Sequence, residues 1–115
     1  MPTFAFVMPI IPGKEAVDRE NIQRAVTPGP EHDEYAAARR SQGVTREAVW
    51  HQATPDGTMA IVLMEADDIQ AVMGGIANAD APFARRFREQ IKDVHGVDTA
   101  NDPPPSVELI ADMSF

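Results

Sequence analysis

The sequence predicts one α+β domain with the element order β-α-β-β-α-β, its four strands forming an antiparallel sheet with helices on one face. Two observations carry this expectation. Apolar segments of strand length at residues 4–10, 46–53, 58–65 and 107–115 are separated by a helical region, a short turn and a second helical region. The first and third of these segments are apolar on both faces, whereas the second and fourth carry charges. Right-handed crossovers in a split arrangement of this kind put strands one and three in the middle of the sheet and strands two and four at its edges.

Each element has a local reason. Residues 4–10 are β-branched and aromatic, and Pro9, Pro12 and Gly13 end the strand and turn the chain. The first helical region is in two pieces. Residues 14–26 are weakly amphipathic through Val17, Ile22, Ala25 and Val26, and Thr27-Pro28-Gly29-Pro30 interrupts them because proline cannot continue the hydrogen-bonded ladder. The second piece begins at Pro30, has Glu31, Asp33 and Glu34 at its positive end and Arg39 and Arg40 at its negative end, and stops at Gly43.

Residues 46–53 alternate imperfectly around Val49 and Trp50. Thr54-Pro55-Asp56-Gly57 is a hairpin turn into residues 58–65. Ile69, Val72, Met73 and Ile76 mark a short helix after Asp67-Asp68, in which Gly74-Gly75 weakens the helix or permits close packing. A better helix at residues 81–95 is stopped by Gly96. The polar, proline-rich residues 98–105 are a loop. After it Val107, Leu109, Ala111, Met113 and Phe115 alternate with Glu108, Asp112 and Ser114 as a half-exposed last strand.

Composition sets further bounds. The 115 residues make one domain, 1–115, and the absence of cysteine rules out disulfides, thiolate metal sites and a cysteine nucleophile. A net charge of -8 disfavours nucleic acid. Neither a signal peptide nor a membrane-length apolar run is apparent, so the expectation is a cytoplasmic protein with no membrane partner. The histidines form no metal-binding spacing, and no phosphate loop, dinucleotide fingerprint or serine-hydrolase elbow occurs. The expectation is therefore no metal and no cofactor. The arginines of Arg85-Arg86-Phe87-Arg88 are expected on a solvated helix face, and His32 is expected in water.

Two-faced strands under a single helical layer leave apolar surface on the other side of the sheet, which a homodimer joined sheet to sheet would cover. At this point a resemblance enters. The segment order, with Ile11-Pro12-Gly13-Lys14, Glu34-Tyr35-Ala36-Ala37-Ala38-Arg39-Arg40, Gly43-Val44-Thr45-Arg46-Glu47, Trp50, Pro55-Asp56-Gly57 and Ala81-Pro82-Phe83, resembles small bacterial proteins of the dimeric α/β-barrel (ferredoxin-like) superfamily. The likeness spans nearly the whole chain. Relatives of that fold include muconolactone isomerases, cofactor-free monooxygenases and haem-degrading monooxygenases, so the resemblance implies a scaffold rather than one reaction. The Asn on strand one and Trp on strand three of the haem-degrading branch are not matched here.

The resemblance implies a pocket between sheet and helices or inside the barrel. Tyr35 and Arg39 are at i, i+4 on one helix and can face one spot, where a hydroxyl beside a guanidinium would bind and polarise an enolate, phenolate or carboxylate. The plainer reading makes Tyr35 a helix anchor and Arg39 a surface residue. Trp50 and His51 are neighbours in a strand, so only one of them can face the pocket. If His51 faces inward it alternates with Val49 and Glu47, so the Glu47 carboxylate would share its face and tune it as a base.

Two readings of function stay open. One is a homodimer that binds a small hydrophobic or aromatic molecule beside Tyr35, Arg39, Trp50 and Phe83. Its enzymatic version is cofactor-independent oxygenation or isomerisation, with Tyr35 or His51 handling the proton and Arg39 or Arg46 holding an anionic oxygen. The other is a non-catalytic assembly or interaction protein that uses the sheet face for dimerisation.

Overall fold

The computed structural model describes residues 2–115. Seven elements follow one another: β1 (Thr3–Pro9), α1 (Glu15–Val26), α2 (Pro30–Ser41), β2 (Val44–Thr54), β3 (Gly57–Ala66), α3 (Ile69–Asn78) and α4 (Pro82–His95). The three strands form one antiparallel sheet in the order β1-β3-β2.

The expected four-stranded ferredoxin-like sheet of a dimeric α/β-barrel subunit is not formed. Residues 107–115 have no regular secondary structure and lie exposed. Alternation of apolar side chains makes a strand only where a neighbouring strand accepts its backbone hydrogen bonds. Here Pro103, Pro104 and Pro105 have no N–H to donate, and the run they begin is exposed and pairs with no strand. Strand β1 is therefore an edge, and β3 alone is central.

The helices keep the boundaries that local chemistry sets. Pro30 opens α2 as its first residue, and Gly43 and Gly96 follow α2 and α4 with φ of 82° and 71°, the left-handed region that a side chain disfavours. Asp68 caps α3 by accepting from the Ala71 N–H at 3.1 Å. At the other end of α3, Arg88 of α4 donates to the carbonyls of Ile76 and Ala79 at 3.1 and 2.8 Å. Arg85 and Arg86 lie on the exposed helix face, as expected, and pair there with Asp80 and Glu34, both at 2.7 Å. His32, expected in water, bonds the Ala25 carbonyl at 2.7 Å and joins α2 to α1. Of the paired glycines in α3, Gly75 is the one that permits close packing, since a Cβ there would meet Gln42 Cγ at 3.0 Å while one at Gly74 would meet nothing within 4 Å.

Register divides the sheet into two faces. On the helix side, Phe4–Met64–Glu47, Phe6–Val62–Val49 and Met8–Ala60–His51 lie in rows across the three strands. On the other side, Ala5–Leu63–Ala48 and Val7–Ile61–Trp50 form the corresponding rows. No helix covers this second face, and Val7 and Trp50 are 56% and 50% exposed.

The phase of β2 is set by a bulge. Val44 stands opposite Ala66, but the next partner pair is Arg46 with Glu65, so Thr45 is an extra residue. Val44 is buried beneath the helices, and strict alternation from it would turn Trp50 inward. The extra residue reverses the phase, which turns Glu47, Val49 and His51 to the helices and Arg46 and Trp50 to the open face.

Two hydrophobic clusters fix the helical layer at opposite ends. Phe4, Val44, Val62, Met64, Ala66 and Val72 pack under α3, while Ile10, Ala60 and Val94 pack with Val17 between α4 and α1. Between them the layer does not close on the sheet.

Candidate functional site

The opening between the helices and the inner face of the sheet is a cavity of about 1680 Å³. Its walls include Phe6, Met8, Ile22, Val49, Val62 and Met73, and it reaches the surface beside Asp102 and Pro103. Two polar clusters interrupt its apolar lining.

The first is built on α2 and β2. Tyr35 and Arg39, one helical turn apart, both reach Glu47 across the gap. The Tyr35 hydroxyl lies 2.7 and 2.8 Å from the two carboxylate oxygens, and Arg39 Nε donates to Oε1 at 2.9 Å. A second guanidinium nitrogen donates to the Tyr35 oxygen at 3.0 Å, and a third to Gln42 Oε1 at 3.0 Å. The guanidinium also lies over the rings of Tyr35 and Phe87, 4.6 and 4.7 Å from their centroids. Phe83 packs edge-on against Tyr35 at 5.9 Å and parallel to Phe87 at 6.0 Å.

Burial holds the Tyr35 phenol well above its usual range, and the carboxylate of Glu47 adds to this while Arg39 opposes it. Burial works against the charge on Arg39, but Tyr35 and Glu47 outweigh it and raise that group further. The cluster is thus a buried guanidinium–carboxylate pair with a neutral phenol donating into it.

A stability prediction follows, because a proton held more tightly in the folded state stabilises the fold only while the unfolded chain also keeps it. Stability is fully present below the ordinary phenol value of 10.0 and falls as pH rises above it. The expected loss attributable to Tyr35 is about 1.4 kcal/mol per pH unit. Tyr35 is the single tyrosine of the chain, so tyrosinate absorbance during alkaline unfolding reports it alone. In Tyr35→Phe the alkaline fall should be shallower by that slope; identical alkaline unfolding in both proteins would show that this phenol titrates normally in the fold.

The second cluster joins three elements. His51 Nε2, on β2, is 2.6 Å from Asp18 Oδ2 on α1. His95, the last residue of α4, has Nε2 at 3.9 Å from Asp18 Oδ1 and Nδ1 at 2.8 Å from the carbonyl of Pro9. Asp18 and His95 are only 7% and 6% exposed, and both lie in the cavity wall.

The structure thus brings Tyr35, Arg39 and Phe83 together and turns His51 to the same side of the sheet. It separates Trp50 and Arg46 from them. Trp50 faces the open side, and Arg46, whose guanidinium is 3.5 Å from Glu65, is largely exposed there. The expected four-residue border of Tyr35, Arg39, Trp50 and Phe83 is corrected by the bulge at Thr45, which puts the sheet between Trp50 and the other three.

The carboxylate serving His51 is Asp18 rather than Glu47, which Tyr35 and Arg39 occupy. Asp18, His95, Glu47 as partner of Tyr35, and Phe87 are the polar and aromatic residues that sequence reasoning did not place in the site. The i, i+4 spacing of Phe83 and Phe87 carried a signal for one of them; for Asp18 no local signal exists.

Among the described residues, no group of three or more His, Asp or Glu side chains is arranged to hold a metal ion, and no helix is long and apolar enough to cross a membrane. No protein-family model, curated protein or solved structure matches this chain.

Proposed function

We propose that this chain binds a small hydrophobic or aromatic molecule in the helix–sheet cavity and does so as a homodimer. The observation that carries the reading is the cavity itself, which is apolar over most of its wall and has two buried polar clusters within it. Ligand pockets for small molecules are commonly about 300–1,000 Å³ with few, fixed polar groups. A cavity of about 1680 Å³ accommodates such a ligand with space left for water. The enzymatic version is cofactor-independent oxygenation or isomerisation, for which buried imidazole and carboxylate groups supply proton transfer. A cysteine-free chain suits a reducing, cytoplasmic setting.

A fluorescent aromatic anion, anilinonaphthalene sulfonate, is a suitable probe. Val49 lies on the inner face of β2 in the cavity wall, so Val49→Trp should fill part of the volume and weaken probe binding at least tenfold, or about 1.4 kcal/mol. Trp50→Glu, on the other face, should leave the inner site's affinity unchanged. Equal affinity in wild type and Val49→Trp would place the probe elsewhere and sink the cavity reading.

The alternative, a non-catalytic assembly protein, is favoured by a different observation: the uncovered row Val7–Ile61–Trp50. Exposed aromatic and β-branched side chains in one row mark an association surface. The two readings share the dimer and differ over whether the cavity is used.

A further inference from the structure

We propose that His95 is a general base acting on substrates with an acidic C–H or O–H bond beside a conjugated π system, with Asp18 and His51 as its positioning residues. This rests on the ligand-binding reading of the cavity and names the chemistry of the same site.

The tautomer of His95 follows from its partner. A carbonyl oxygen only accepts, so the Nδ1 that lies 2.8 Å from Pro9 O carries the proton, and the neutral ring has its lone pair on Nε2. Asp18 Oδ1, 3.9 Å away, is itself only an acceptor when ionised and lies beyond hydrogen-bond length, so it leaves that lone pair uncommitted. The carboxylate is near enough to stabilise the imidazolium that forms when Nε2 takes a proton. Asp18 is itself held in place by His51 Nε2 at 2.6 Å. The carbonyl of Pro9 thus orients the ring through Nδ1, and the carboxylate held by His51 stands beside the nitrogen that takes the proton.

Burial supports the assignment. Of the three side chains, His95 and Asp18 lie in the wall of a mostly apolar cavity. In the proposed step the substrate proton moves to His95 Nε2. The electron pair of the broken bond passes into the π system to give an enolate or phenolate, and the imidazolium later returns the proton to the product or to water.

5-Nitrobenzisoxazole is a probe for this chemistry. Removal of its ring C–H by a base forms a nitrile and breaks the N–O bond, giving a coloured cyanophenolate. Wild type should show saturable turnover, faster than free imidazole at equal concentration by on the order of 10²-fold. His95→Gln should lose that advantage. With kcat referred to the folded fraction measured by circular dichroism, Asp18→Asn should lower kcat about tenfold or more while KM stays within about threefold. Should His95→Gln fail to fold, Asp18→Asn decides the question. Absence of probe binding by wild type would overturn the cavity reading and the base assignment with it. Binding without turnover, or undiminished kcat in a folded variant, would overturn the base assignment alone.

Discussion

Glu47→Ala is expected to lower the unfolding free energy by about 3–5 kcal/mol, the usual cost of leaving one member of a buried ion pair without its partner. Arg39 and Glu47 side chains are only 7% and 16% exposed, and the guanidinium would lose its carboxylate in a setting that gives it little water. Tyr35 would lose its acceptor at the same time. The double change Arg39→Met with Glu47→Leu should recover most of the loss, since apolar replacement removes the desolvation cost of both charges. Urea unfolding of Arg39→Met, Glu47→Leu and the double variant gives the coupling directly. Additive losses, with no recovery in the double variant, would show that the pair is not the source of the effect.

The second large effect concerns association. Trp50 sits at the end of the Val7–Ile61–Trp50 row on the uncovered face, and large aromatic side chains are the commonest dominant residues of protein interfaces. Trp50→Glu should weaken the proposed dimer at least a hundredfold, or about 2.7 kcal/mol, because it puts a charge where two apolar faces meet. Sedimentation equilibrium of wild type and variant measures this. The chain has one tryptophan, so a change of its emission on dilution reports the same event in the wild type. A wild type that stays monomeric across the micromolar range would remove the dimer from the proposal while leaving the cavity chemistry to be judged on its own test.

Much of the fold was legible because it depends on neighbours in sequence. The break between α1 and α2 is written in Thr27-Pro28-Gly29-Pro30, the β2–β3 hairpin in Pro55-Asp56-Gly57, and the ends of α2 and α4 in Gly43 and Gly96. The pairing of Tyr35 with Arg39 was equally local, since i, i+4 residues share a helix face. The segment at residues 107–115 shows the limit of such reasoning. Its alternation is as regular as that of a strand, yet alternation states which side chains share a face and not whether another strand is there to pair.

Sequence by itself determined the helices, the three strands that form, and the two-sided apolar character of β3. Only the tertiary structure decided which side of β2 is inside, that residues 107–115 do not join the sheet, and that Asp18, His51 and His95 meet. The physical reason is the same in all three cases. Propensity, capping and turn chemistry act within a few residues, whereas the bulge at Thr45, the unpaired edge of β1 and the convergence of α1, β2 and α4 arise from contacts between distant segments, which no local period encodes.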